Sequence, residues 1–258
     1  MLKTRVLSAI IGVAALLVIL SMGGVYWQGL FVILGLIALY EYYKMMANVS
    51  HKTIAFPGYL LLLLFMCSAI YPIYLSSGLL LVIAIIVIYA VFAYPKISIV
   101  DIALSLFGPA YIGFLLSYAI KISELEPAFT IILLAFILTW SSDIGGYAFG
   151  TRWGKHKMVP LLSPGKSWEG AGGALLLTIC MAFLFLQVFE LKIENYAYVL
   201  VLAVLASVAA QFGDLFISSM KRYFGVKDTG NIIPGHGGVL DRFDAFLLVV
   251  PLVYYFFH

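Results

Sequence analysis

The chain has 258 residues, 64% of them hydrophobic and only 10% charged, with a formal net charge of +3. Soluble domains run at about 45–50% apolar and about 25% charged. This chain therefore has too little polar surface to cover a water-facing globule, and a soluble enzyme is excluded.

Apolar runs broken by charge, Gly and Pro predict about nine helices, which at about 20 residues per crossing would use roughly 180 residues. In chain order they are Val6 to Gly23, Trp27 to Tyr43, Ile54 to Tyr74, Gly78 to Ala93, Ile97 to Ile120, Ala128 to Ser142, Gly170 to Val188, Tyr196 to Phe216 and Phe243 to Phe257. The first run follows Lys3 and Arg5, lacks a clear small-x-small cleavage site, and is read as a retained span. The expected fold is an all-α polytopic integral membrane protein with a cytoplasmic N-terminus. Residues 1–130 form helices 1–5, and residues 131–258 form helices 6–9 with two working loops, 141–173 and 214–244. Nine spans from an inside N-terminus place 13 of the 15 basic residues inside and only Lys121 and Lys192 outside. That is the positive-inside pattern, and it marks the cytoplasmic face as the working one. Cys67 and Cys180 lie in apolar runs without metal-ligand spacing and read as packing residues.

Two inside segments, Thr151 to Trp168 and Ser218 to Arg242, hold eight of the 15 basic residues. Positive-inside bias and contact with anionic headgroups would explain this much. The acidic residues say more. Asp143, Asp214, Asp241 and Asp244 fall at or within the ends of apolar runs, where an ionised carboxylate costs several kcal/mol unless paired, hydrated or bound to a cation. Asp241 and Asp244 are three apart and share a helix face; Asp214 and Ser218 are four apart and do the same. Hard oxygen ligands without a His/Cys cluster suit Mg²⁺ rather than zinc. Singly, Asp241 could instead pair with Arg242, or Asp214 with Lys221.

The stretch Ser141 to Gly173 carries glycines at 145, 146, 150, 154 and 165, which let backbone approach a ligand, with Lys155 and Lys166 each following a glycine. It is not a Walker loop: the glycine spacing is short by one, and neither Ser nor Thr follows Lys155. Gly170, Gly172 and Gly173 read as helix-packing positions. Ser163 to Ser167 reads as a turn capped into the seventh span by Ser167 or Glu169. Hard-cation ligands, clustered Lys and Arg, and glycine-rich backbone on one face of a membrane bundle describe chemistry on polyphosphate.

The segment SSMKRYFGVKDTGNIIPGHGGVLDRFD, Ser218 to Asp244, resembles the signature of the phosphatidate cytidylyltransferase (CDP-diacylglycerol synthase) family. The positions that carry the resemblance are Ser218, Lys221, Arg222, Lys227, Asp228, Gly230, Pro234, His236, Gly237, Gly238, Asp241, Arg242 and Asp244. The surroundings of Asp143 and the run from Ser163 through Lys166 to Glu169 and Gly170 are also similar to that family. The first 130 residues carry no matching motif.

The resemblance implies transfer of CMP from CTP to phosphatidic acid at the inner face of a plasma membrane, yielding CDP-diacylglycerol and pyrophosphate. It further implies Mg²⁺ on Asp214, Asp241 and Asp244, with Ser218 as a ligand for it or for a second cation. These three aspartates and Lys227 would be catalytic. Lys221, Arg222, Arg242, Lys166, Lys155, Ser163, His236, Asp143 and Glu169 would bind substrate. Partners would be CTP, phosphatidic acid and membrane lipid, with a homodimer suggested; no nucleic-acid partner is expected. Rival functions are a cation-coupled membrane transporter, whose carboxylates should lie mid-span, another CTP- or CDP-lipid transferase, and a lipid kinase using CTP. A CDP-alcohol phosphatidyltransferase would need Gly-x3-Asp-x3-Asp, whereas Gly238, Asp241 and Asp244 are each three apart.

Overall fold

The computed structural model describes residues 2–191, 195–233, 235 and 237–258, with side chains from Ser8 onward. Among the described residues there are nine α-helices: α1 (Leu2–Met22), α2 (Gly24–Asn48), α3 (Ala55–Ser68), α4 (Leu75–Ala93), α5 (Ile99–Ile122), α6 (Ala128–Trp153), α7 (Trp168–Val188), α8 (Tyr196–Tyr223) and α9 (Leu240–Phe257). The one sheet is a hairpin of β1 (Lys157–Val159) and β2 (Ser163–Ser167). Six helices are long and apolar enough to cross a membrane: α2, α4 with its preceding turn, α5, α6, α7 and α8. This is an all-α membrane protein.

Four sequence expectations change. The run from Ile54 to Tyr74 is not one helix: α3 stops at Ser68, and a 3-10 turn at Pro72–Tyr74 leads into α4. At 1.5 Å per residue its 14 residues reach only about 21 Å, short of the roughly 30 Å hydrocarbon core. The sixth helix does not end at Ser142 but runs on to Trp153, so Asp143 lies ten residues inside it. Ser163 to Ser167 is a strand paired with β1 rather than a turn. Cys67 and Cys180 are exposed rather than packed, on outward faces that in a membrane protein are apolar anyway.

The chain folds as two compact units, Met1–Glu124 with Tyr223–Asp241, and Leu125–Arg222 with Arg242–His258. In the first, α2 is pinned along α5 by donors aimed at helix carbonyls. Trp27 Nε1 donates to Ala119 O at 2.8 Å, Tyr42 OH to Leu104 O at 2.9 Å and Tyr43 OH to Ser105 O at 2.8 Å. Helix α5 begins with a capping box: Ser98 Oγ accepts from the Asp101 amide, and Asp101 Oδ2 from the Ser98 amide, both at 3.0 Å. Asp101 Oδ1 also accepts from the Lys52 amide at 3.2 Å and lies 2.8 Å from His51 Nδ1, so the α2–α3 and α4–α5 connections meet at one end. The segment after α8 joins them there, with Tyr223 stacked on His51 and Phe224 edge-on to Tyr42.

In the second unit α6 and α7 pack closely because small residues face each other. A methyl at Gly145 would lie 2.5 Å from the Gly173 carbonyl oxygen, and one at Gly170 would lie 2.9 Å from Gly146 O. Gly145, Gly146 and Gly150, three of the glycines read from sequence as letting backbone approach a ligand, therefore also form a helix–helix seam, the means by which membrane helices come close. Helices α8 and α9 meet the same way at Gly213, where a methyl would lie 2.6 Å from Asp244 O. Phe136 of α6 stacks on Phe246 of α9 at 4.4 Å. Overfilling a close-packed seam typically costs about 1–3 kcal/mol. Gly145→Ala should therefore lower unfolding stability in detergent by about 1–3 kcal/mol, whereas Gly172→Ala, which meets nothing within 4 Å, should leave the melting midpoint unchanged.

Candidate functional site

The Leu125–Arg222 unit contains a half-open cleft of about 350 Å³, inside the range of roughly 300–1,000 Å³ typical of small-molecule sites. Helix α6 supplies Ser142 and Asp143, strand β2 supplies Ser163 and Lys166, and α8 supplies Gln211 and Asp214. Its floor is the glycine seam, since Gly146, Gly150 and Gly170 also line it. The absence of side chains there leaves room for a ligand.

The central contact is the ion pair of Lys166 Nζ with Asp214 Oδ2 at 2.5 Å, with both side chains partly exposed to the cleft. Lys166 Nζ also lies 3.5 Å from Gln211 O. Asp214 Oδ1 accepts from Ser218 Oγ at 3.4 Å, one turn on along α8. Asp143 feels the like charge of Asp214 and the opposite charges of Lys166 and Arg242. Asp244, buried and brought to α8 by the Gly213 crossing, feels both of those aspartates and Lys221. Three carboxylates and the cations answering them thus gather within one unit, as intramembrane charge requires.

Of the residues expected from sequence, Asp143, Ser163, Lys166 and Asp214 line the cleft. Ser218 reaches it through Asp214, and Asp244 lies across the helix crossing. Glu169 is engaged elsewhere. Its carboxylate accepts from the Lys155 and His156 amides and sits 2.6 Å from His156 Nδ1, tying the α6–β1 connection to the first turn of α7. Ser167 caps that helix by accepting from the Gly170 amide at 3.1 Å. Lys155 is exposed and does not line the cleft.

Asp241 is engaged by donors of its own loop. Its Oδ2 accepts from the Thr229 amide at 2.8 Å, Thr229 Oγ1 at 2.9 Å and the Gly238 amide at 3.1 Å, bracing its own loop. Lys227 lies on that loop, in the first unit. His236 and Pro234 lie outside the described residues. Among the described residues no three carboxylate, histidine or cysteine side chains converge closely enough to hold a metal ion by themselves.

Sequence reading missed Gln211, Ser142 and Glu41. Gln211 is a polar side chain in an apolar run three residues before Asp214, and that spacing could have flagged it. Ser142 Oγ donates to Ser207 O at 3.4 Å, which no local pattern shows. Glu41, the one acidic residue of the largely apolar α2, is buried at 1% exposure.

The profile of the cytidylyltransferase family matches residues 3–258. The chain belongs to the cytidylyltransferase family. It is 33% identical over 263 residues to a phosphatidate cytidylyltransferase of Bacillus subtilis, covering 98% of this chain and 96% of that protein. It is 38% identical over 260 residues to the phosphatidate cytidylyltransferase of Staphylococcus haemolyticus, and 37% identical over 260 residues to that of Staphylococcus aureus, each covering 97% of both chains. The family match spans the N-terminal helices as well as the cleft and signature.

The Glu169 clasp makes a local prediction. Glu169→Ala removes the acceptor for two amides of the α6–β1 connection. Limited trypsin digestion should cut after Lys155 or Lys157 faster in the variant.

Proposed function

We propose that the chain transfers CMP from CTP to phosphatidic acid, giving CDP-diacylglycerol and pyrophosphate, with the cleft holding the nucleotide phosphates. The observation that carries this reading is the Lys166–Asp214 pair standing over a side-chain-free glycine floor, in a chain matched along its length by the cytidylyltransferase family. A bacterial-type plasma membrane is the proposed location, with the basic loop ends facing the cytoplasm, where CTP is made.

The chemistry asks little of the protein in proton transfer. A phosphate monoester has its second pKa near about 6, so at neutral pH the lipid phosphate oxygen is largely unprotonated and needs no strong general base. One P–O bond forms from that oxygen to the CTP α-phosphorus, and the bond to the β-phosphate bridge breaks as pyrophosphate leaves. Positioning and charge neutralisation carry the step. Lys166 supplies a mobile cation at the cleft mouth. Lys221, Arg222, Lys227 and Arg242 neutralise triphosphate and lipid phosphate, Arg through its two-pronged geometry.

Mg²⁺ fits the donor set in a particular way. It usually keeps water and takes one or two carboxylates while substrate phosphates complete its shell, so a site without three converging protein ligands is compatible with it. We place Asp214, with Ser218 beside it and Asp244 across Gly213, as the residues that would hold the ion; Asp241 braces its own loop through Oδ2. Bound there, the ion would offset charge building on the leaving pyrophosphate. The remaining work falls to the chain itself: Lys166 holds phosphate, and the glycine floor admits it.

The assay is purified protein in vesicles given CTP, phosphatidic acid and Mg²⁺, with release of pyrophosphate and formation of a CMP-bearing lipid followed together. Asp214→Asn and Asp244→Asn should each reduce turnover by at least ~10², since charge stabilisation at a transferring phosphoryl group is worth several kcal/mol. Lys166→Met should raise the KM for CTP by about tenfold or more, the scale of one charge-assisted contact. Release of CDP instead of pyrophosphate would convert the reading to a kinase, and retention of activity by both asparagine variants would remove the metal assignment.

A further inference from the structure

Glu41, on α2, reaches a segment almost 200 residues away in sequence. Its side chain is 1% exposed. Oε1 accepts from the Val239 amide at 2.9 Å and Oε2 from the Leu240 amide at 2.8 Å, so the carboxylate caps the start of α9 from another helix. Thr229 Oγ1 lies 3.2 Å from Glu41 Oε2 and 2.9 Å from Asp241 Oδ2, and its single hydrogen is shared between the two.

The glycines of the signature are shaped around this carboxylate. A methyl at Gly230 would lie 2.5 Å from Glu41 Oε1, while one at Gly238 would overlap Thr229 Oγ1 first and lie 2.5 Å from Glu41 Oε2. At Gly230 the requirement is space for Glu41; at Gly238 it is space for Thr229 and Glu41 together. At Gly237, by contrast, the backbone itself is left-handed, with φ of +85°. Behind Glu41, Tyr42 and Tyr43 anchor α2 to the carbonyls of Leu104 and Ser105, so the carboxylate is presented from a rigid support.

We infer that Glu41 is a positioning residue for CMP transfer. It seats Thr229, Val239 and Leu240, and thereby fixes the nearby Lys227 and the first residue of α9. Glu41 touches no reacting atom; it acts through the segment it holds. The inference rests on the proposed transfer activity.

The test combines turnover, hydrogen exchange and a double-mutant cycle on the full-length protein in detergent or vesicles. Glu41→Gln keeps one acceptor oxygen but turns an amide N–H₂ toward a backbone N–H. It should lower kcat about tenfold or more with the KM for CTP little changed, and speed exchange of the Val239 and Leu240 amides by a similar factor, the size of one lost charged hydrogen bond. Glu41→Asp, which keeps the charge one methylene shorter, should recover part of both. Gly230→Ala alone should be as damaging as Glu41→Ala, yet cost less than about threefold more when made on the Glu41→Ala background, because the nearest atoms to that methyl all belong to Glu41.

Unchanged exchange at Val239 and Leu240 in Glu41→Gln, or fully multiplicative losses in the cycle, would overturn the assignment even if turnover fell. A wild-type protein that performs no CMP transfer, while its Val239 and Leu240 amides stay protected, would instead overturn the transfer reading and with it the reaction Glu41 is assigned to.

Discussion

A carboxylate among apolar helices must be given donors or cations, and that requirement organises this protein. Stranding one costs several kcal/mol, and the chain answers in two ways. Glu41, Asp101, Glu169 and Asp241 are each surrounded by donors from backbone amides, hydroxyls or an imidazole ring. These four fasten connections to helix ends. Asp143, Asp214 and Asp244 face one another instead, and are answered by Lys166, Lys221 and Arg242. Like charges gathered in this way favour cationic company, and the cleft beside them is where a polyphosphate with its counter-ion can enter.

The glycine seams complement the charges. Gly145, Gly146 and Gly150 on α6 lie against Gly170 and Gly173 on α7, and Gly213 on α8 lies against α9. In water such contacts would bury little apolar area, but in lipid close backbone approach is itself the main attraction between helices. The same small residues hold the bundle together and leave the cleft floor bare, which is why Lys166 and Asp214 can meet across open space.

Much of this could be read from the residues alone. Apolar runs marked all nine described helices, and the Ser218 to Asp244 pattern indicated the family before any contact was known. That Asp143, Ser163, Lys166 and Asp214 line one cleft agrees with their selection from sequence, where charge and glycine in an apolar chain are conspicuous. The errors have a common cause. Asp143 was placed at a helix end because Gly145 and Gly146 read as breakers, yet a neighbouring helix that needs a small face lets α6 continue to Trp153. Ser163 to Ser167 was read as a turn because five polar and small residues carry no alternation, while its pairing with β1 is set from across the hairpin. Glu41 was invisible because its partners at Thr229, Val239 and Leu240 are distant in sequence, and a single acidic residue in an apolar run carries no pattern.

The donors held by Glu41 and Asp241 also bear on how phosphate can be recognised. An open helix start is a ready seat for an anion, offering unsatisfied amides and the positive end of the peptide dipoles. Here the amides of Gly238, Val239 and Leu240 are already claimed by carboxylates of the chain itself. That seat is taken from within. Under the proposed transfer, nucleotide recognition would fall instead to long, flexible cationic side chains, which can follow a phosphate as it changes from a bridging group into a departing one.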